Sequence, residues 1–133
     1  FAIGDACKVL DTGNYVANIT ESWLSPELLP AIVFIVSSFI AFSTGTSWGT
    51  FAIMLAISIP MANMHGSDIT IIVAATLGGG IFGDHCSPIS DTSIISSMAS
   101  ASDHIDHVKT QLPYALIGGT VTVFMYLIIG FFG

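Results

Sequence analysis

The amino-acid sequence predicts an all-α integral membrane protein, built from a re-entrant helical hairpin, a discontinuous transmembrane helix and a continuous transmembrane helix. Three observations predict it. Charged residues are 8% of the 133 residues and hydrophobic residues are 53%, whereas soluble domains carry roughly a quarter charged residues. A soluble domain of this composition could not cover its surface. Twice, a long apolar stretch is interrupted by a short polar segment bearing Gly or Pro, at residues 43–50 and 83–91. A last apolar run, residues 112–133, is uninterrupted and long enough for one ordinary span.

The same composition excludes other classes. Disorder needs low hydrophobicity and high charge. A formal charge of −7 leaves no nucleic-acid footprint and no polybasic attraction to anionic lipid. Lys8 and Lys109 are too few to orient the chain by the positive-inside rule. Cys7 and Cys86 suggest neither a disulfide framework nor a CxxC pair. Nothing near the start resembles a signal peptide. The chain starts at Phe1 without an initiator Met and ends in an apolar run, so it is expected to be a fragment of one membrane domain.

Residues 1–27 are mixed in character, the end of one helix followed by an interfacial segment. Tyr15 and Trp23 beside Glu21 and Glu27 suit a membrane interface, where amphipathic aromatics collect. Ser25 and Pro26 read as a helix N-cap and first helical position. Residues 28–64 form the re-entrant hairpin, with apolar arms at 28–42 and 51–64 joined by a polar tip. Each arm falls short of the roughly 20 residues that cross a bilayer. One long helix with an unwound middle is the alternative. Residues 63–68 then turn the chain at the surface. Residues 69–101 form the discontinuous helix, interrupted where Pro88 sits. Residues 102–111 carry Asp103, His104, Asp106, His107 and Lys109 and read as an interfacial loop or helix start. Residues 112–133 are the continuous span, with Pro113 in its first turn.

The chemistry lies at the two interruptions. The hairpin tip supplies the hydroxyls of Ser43, Thr44, Thr46, Ser47 and Thr50, with Gly45 and Gly49 among them. Hydroxyl and backbone oxygens suit a hard cation such as Na+, and helix C-termini add partial negative charge. The plainer alternative is that these hydroxyls cap two helices. Trp48 either closes a cavity or packs.

The second interruption holds Asp84, His85, Ser87, Ser90, Asp91 and Thr92. An ionisable group inside a membrane is costly enough to be a functional candidate by default. Asp84 is the leading carrier, since a buried carboxyl can hold H+ in one state and Na+ in another. Asp91 after Ser90 reads equally as a helix cap. His85 could share proton transfer, imidazole being the side chain that changes charge near neutral pH, or it could be packed and neutral. The Na+ candidates are Thr46, Ser47, Asp84 and Asp91.

Three alternatives weigh less. Cys86 beside His85 lacks the second Cys/His pair of a zinc site. Asp103, His104, Asp106 and His107 could bind a metal on one helical face, but suit better a helix start at the interface. A hydrolase built on Asp84, His85 and Ser87 or Ser90 would need a nucleophile–base pair and an oxyanion hole, which adjacency in sequence does not establish. The chain is therefore expected to be no enzyme and to need no cofactor.

Three strings, F-S-T-G-T-S-W-G-T at residues 42–50, G-D-H-C-S-P-I-S-D-T at 83–92 and D-H-I-D-H-V-K-T-Q-L-P-Y at 103–114, occur in that order. Together they resemble the NhaC-type sodium/proton antiporter family. The resemblance implies a multi-pass transporter of the plasma (inner) membrane, in the ion-transporter superfamily, of which this chain would be the second of two inverted repeats. It implies Na+ and H+ as transported ions, the bilayer and the first repeat as partners, and leaves a homodimer open. The chain is similar also to transporters that exchange malate for lactate and to some amino-acid permeases, so a small carboxylate or amino acid is the alternative substrate.

Overall fold

The computed structural model describes residues 2–20 and 24–132; Glu21 and Trp23, read above as interfacial, lie outside the described residues. The described residues form seven α-helices: α1 (Ala2–Val9), α2 (Thr12–Thr20), α3 (Leu29–Thr44), α4 (Ser47–His65), α5 (Ile69–Cys86), α6 (Asp91–Ala99) and α7 (His104–Phe132). α4, α5 and α7 are long and apolar enough to cross a membrane by length and composition. α3, at 16 residues, is about 24 Å long and shorter than a hydrocarbon core of about 30 Å.

α5 is the centre of the bundle, packed on α3, α4 and α7. Small residues allow its approach to α3. A Cβ on Gly79 would meet the Phe34 carbonyl oxygen and one on Gly83 would meet that of Ser38. These glycines are four apart, so they share one face of the helix. Phe34 stacks on Phe82 with centroids 5.7 Å apart and tilts against Tyr126 at 5.6 Å. Leu29, Val33, Met54, Met61, Ile72 and Ala75 complete the core. α7 packs on the bundle through residues that include Gly119 and Tyr126, and leaves Leu116, Ile117, Phe124 and Ile128 exposed. So large an apolar surface calls for lipid or further protein against it.

Several helices run past the bounds read from the sequence. α4 and α5 have 19 and 18 residues, more than their apolar runs, because Ser47–Thr50 and Gly83–Cys86 stay helical despite their polarity. α7 starts at His104, inside the segment read as an interfacial loop. Asp103 Oδ1 accepts the backbone N–H groups of Ile105 (2.9 Å) and Asp106 (3.2 Å), which nucleates the helix there. Pro113 consequently lies in the interior of α7 and not in its first turn. α3 starts at Leu29 with Pro30 in its first turn, while Ser25 accepts the Leu28 N–H in a preceding turn. Ser25 is therefore not the cap. Residues 2–20 form two short helices that lie on α4, where Gly4 and Gly13 admit Ala52 and Ala56.

Candidate functional site

Both interruptions are present, and they meet. α3 ends in a left-handed residue, Gly45 (φ 67°), whose N–H returns to the Ala41 carbonyl, and Thr46 starts α4 in an extended conformation. The second interruption is narrower than the sequence suggests, Ser87–Ser90 between α5 and α6. Ser87 Oγ, fully buried, donates to the Phe42 carbonyl at 2.7 Å. A Cβ on Gly45 would stand 2.8 Å from the Ile89 carbonyl oxygen. The C-terminus of α3 and the α5–α6 break are thus in direct contact.

Asp84 occupies the last turn of α5 and is 2% exposed. Its Oδ2 accepts the Thr92 hydroxyl at 3.0 Å. Thr92 has one hydroxyl hydrogen, so the 2.7 Å contact between Ser90 Oγ and Thr92 Oγ1 is donated by Ser90. Ser90 is the N-cap of α6, yet its side chain makes no bond to that helix's backbone. The hydroxyl faces the carboxylate relay instead. Asp84 Oδ1 is buried and has no hydrogen-bond partner among the described residues. An unpartnered carboxylate oxygen away from water costs its desolvation in full, and a proton or a cation on Oδ1 would relieve that cost.

Other expected site residues are placed differently. Asp91 is exposed in the first turn of α6, apart from the Asp84 relay. His85 is exposed, and its Nδ1 lies 2.9 Å from the Ile81 carbonyl, which can only accept; Nδ1 therefore bears a hydrogen. His85 lines a groove of about 550 Å3 with Phe34, Phe82, Gln111 and Tyr114. Neither Ser87 nor Ser90 is paired with His85, since their hydroxyls are engaged by Phe42 and Thr92.

At the tip, Ser43 donates to Phe39, Thr44 to Ile40 and Thr50 to Thr46, at 2.8, 2.9 and 2.9 Å, each to a carbonyl on its own helix or cap. Thr46 provides the N-cap position of α4 without a side-chain bond to its backbone, and Ser47 is half-buried beside it. Trp48 is 75% exposed and meets Phe51 edge-on. Among the described residues no three His, Cys, Asp or Glu side chains converge to hold a metal ion.

The support that two residues of α7 give the break escaped sequence reasoning. His104 Nε2 is 2.7 Å from the Pro88 carbonyl and Gln111 Nε2 donates to the His85 carbonyl at 3.1 Å. Their only signal was their polarity at the head of an apolar helix.

A sequence model of the Na+/H+ antiporter family matches residues 1–131. An uncharacterized protein of Haemophilus influenzae is 44% identical over 123 residues, covering 92% of this chain and 24% of its own length. The malate-2H+/Na+-lactate antiporter of Bacillus subtilis is 28% identical over 109 residues, covering 82% and 23%. The Na+/H+ antiporter NhaC of Alkalihalophilus pseudofirmus is 31% identical over 112 residues, covering 84% and 23%. The chain thus spans about a quarter of the length of the curated relatives it matches. No solved structure matches it.

Proposed function

The chain belongs to the Na+/H+ antiporter family, and we propose that it is one repeat of a secondary transporter that exchanges Na+ for H+ across the plasma membrane, with Asp84 as the carrying carboxylate. The observation behind this reading is Asp84 Oδ1, buried and unpartnered where α5 gives way to α6. Oδ1 takes either a proton or Na+, never both, so occupation by one ion displaces the other. Thr92 donates to Oδ2, and Ser90 donates in turn to Thr92. Around them, α3 and α4 act as a re-entrant hairpin and α5–α6 as a broken helix, the arrangement in which secondary transporters place ions at mid-membrane. Irregular backbone at that depth is tolerable only when protein or a water-filled cavity satisfies it. The contact between Phe42, Gly45 and the break supports that arrangement. Thr46, Ser47 and the exposed Asp91 are candidates to add oxygens from the cavity side.

A second reading is favoured by the likeness to the malate-2H+/Na+-lactate antiporter: the same carboxylate would couple Na+ and H+ to a small organic acid. Reconstituting the full-length protein in vesicles separates the two. A Na+ gradient that moves protons without organic solute supports ion antiport. Proton movement that waits for malate or lactate supports the exchanger. Proton movement driven by neither would end both readings.

A further inference from the structure

A chain break inside a packed bundle leaves carbonyls that must find donors elsewhere. Between α5 and α6 several do. Asp84 O accepts the Ser87 N–H at 3.0 Å, and Ser87 O accepts that of Ser90 at 3.3 Å. Two others, His85 O and Pro88 O, take their donors from α7: Gln111 Nε2 at 3.1 Å and His104 Nε2 at 2.7 Å. α7 therefore supports the break by two side chains that are 26 and 16 residues from the carbonyls they serve.

His104 is the stronger of the two. Pro88 O can only accept, so Nε2 bears a hydrogen. Nδ1 lies 3.2 Å from Ser97 Oγ, whose hydroxyl is also 2.8 Å from the Ile94 carbonyl. In a neutral ring Ser97 turns its hydrogen to Nδ1; in an imidazolium Nδ1 donates and Ser97 keeps Ile94. Both states leave the Nε2–H on Pro88. The ring thus joins α6, α7 and the break whatever its charge. Two residues after Pro88 comes Ser90, then Thr92, the hydroxyl pair that fixes Asp84.

We propose that His104 is a positioning residue for the Asp84 site: by holding the Pro88 carbonyl against α6, it sets where Ser90 steadies the Thr92 hydroxyl that donates to the carboxylate. The inference rests on Asp84 as the ion-carrying group. Groups that orient ligands typically change ion affinity by 10- to 100-fold when removed, and a hydrogen bond to backbone belongs at the low end of that range.

The test compares Asp84→Asn, His104→Leu and His104→Gln in the full-length protein, measuring proton movement in vesicles and melting temperature across a Na+ titration. Leu fills space without a donor; Gln can bring an N–H to the same carbonyl. His104→Leu is expected to raise the Na+ concentration for half-maximal exchange by about tenfold, with a smaller fall in maximal rate, and to shrink the stabilisation by Na+. His104→Gln should restore most of both. A silent Asp84→Asn beside a His104→Leu with the parent's Na+ dependence would overturn the positioning role and leave the carboxylate in place. Full exchange by Asp84→Asn would overturn both. Should His104→Leu fail to insert, the Gln variant decides: near-parental Na+ dependence supports the role and a tenfold rise refutes it.

Discussion

The two interruptions both end one helix and start another, and they differ in how their polar groups are paired. Between α3 and α4 the helix is broken at Gly45 and Thr46, using one left-handed residue and returning its N–H to the helix it has just left. Three of the five hydroxyls there donate to carbonyls close by in the chain. Between α5 and α6 the break spans Ser87–Ser90, and polar groups around it pair with α3, α6 and α7. The first interruption closes on itself, whereas the second draws in its surroundings and still leaves one buried carboxylate oxygen unmatched. On the proposed reading, that leftover oxygen is what makes the second break the functional one.

If that contrast is right, the largest effect comes from Asp84. Asp84→Asn keeps the shape but cannot cycle a proton, and exchange by the full-length protein in vesicles should fall to background with insertion intact. Asp103→Asn is the matched control, because Asn caps a helix about as well as Asp, and it should exchange normally. Equal loss in both would remove Asp84 from its assigned role.

Next in size is the contact that joins the two regions. Gly45 and Gly66 have nearly the same left-handed backbone, φ 67° and 68°, but a Cβ on Gly45 would press on Ile89 while one on Gly66 would meet nothing within 4 Å. Gly66→Ala should cost roughly 1–2 kcal/mol, the ordinary price of that conformation for an L-residue. Gly45→Ala adds overpacking against the break, worth about 1–3 kcal/mol more. Melting temperatures of the two variants measure the joint by difference. Equal losses would show that the interruptions touch without bracing each other.

Smaller again is the contrast between hydroxyls. Thr92→Val removes the donor to Asp84 Oδ2 and should raise the half-maximal Na+ concentration about tenfold for each 1.4 kcal/mol of binding lost. Thr46→Val removes a hydroxyl that does not cap α4, so the baseline melting temperature should hardly move. Its Na+ dependence should shift less than that of Thr92→Val. A larger shift would transfer the centre of the ion site to the hairpin tip.

Much of this contrast was legible in the residues. The membrane class follows from composition, and both interruptions fall where hydroxyls, Gly and Pro displace apolar residues. Asp84 stood out because a carboxylate between apolar segments has few structural uses. The extents of the helices were not legible, since Gly83–Cys86 looks like a break by polarity. It stays helical because Gly79 and Gly83 bring α5 against the α3 backbone, and the Gly-x-x-x-Gly spacing was the signal for that. The exposure of Asp91 was not legible, its position beside Ser90 saying nothing about which way the first turn of α6 faces. His104 and Gln111 were invisible as supports because their carbonyl partners lie far away in the chain, and no local pattern encodes such pairing.

The smallest effect tests what a carboxylate looks like when it is only a cap. Asp68 opens α5 at the far end from Asp84, fully exposed, and accepts the Thr70 N–H at 2.7 Å. That backbone hydrogen bond, helped by the Thr70 side chain and by Ile71, holds its pKa below the ordinary 3.8. Because the folded value is the lower one, the contribution to stability is fully present above the unfolded carboxylate range. It is lost as the pH falls through the folded pKa. Asp68→Asn preserves a capping acceptor but cannot titrate, so its melting temperature should lack the part of the parent's acid sensitivity that sets in below about pH 4. The difference should be slight, since exposed charges are screened, and Na+-dependent exchange at neutral pH should be unaltered. A change in the Na+ response of this variant would mean that the two ends of α5 are coupled, and the Asp84 site would then extend along the whole helix.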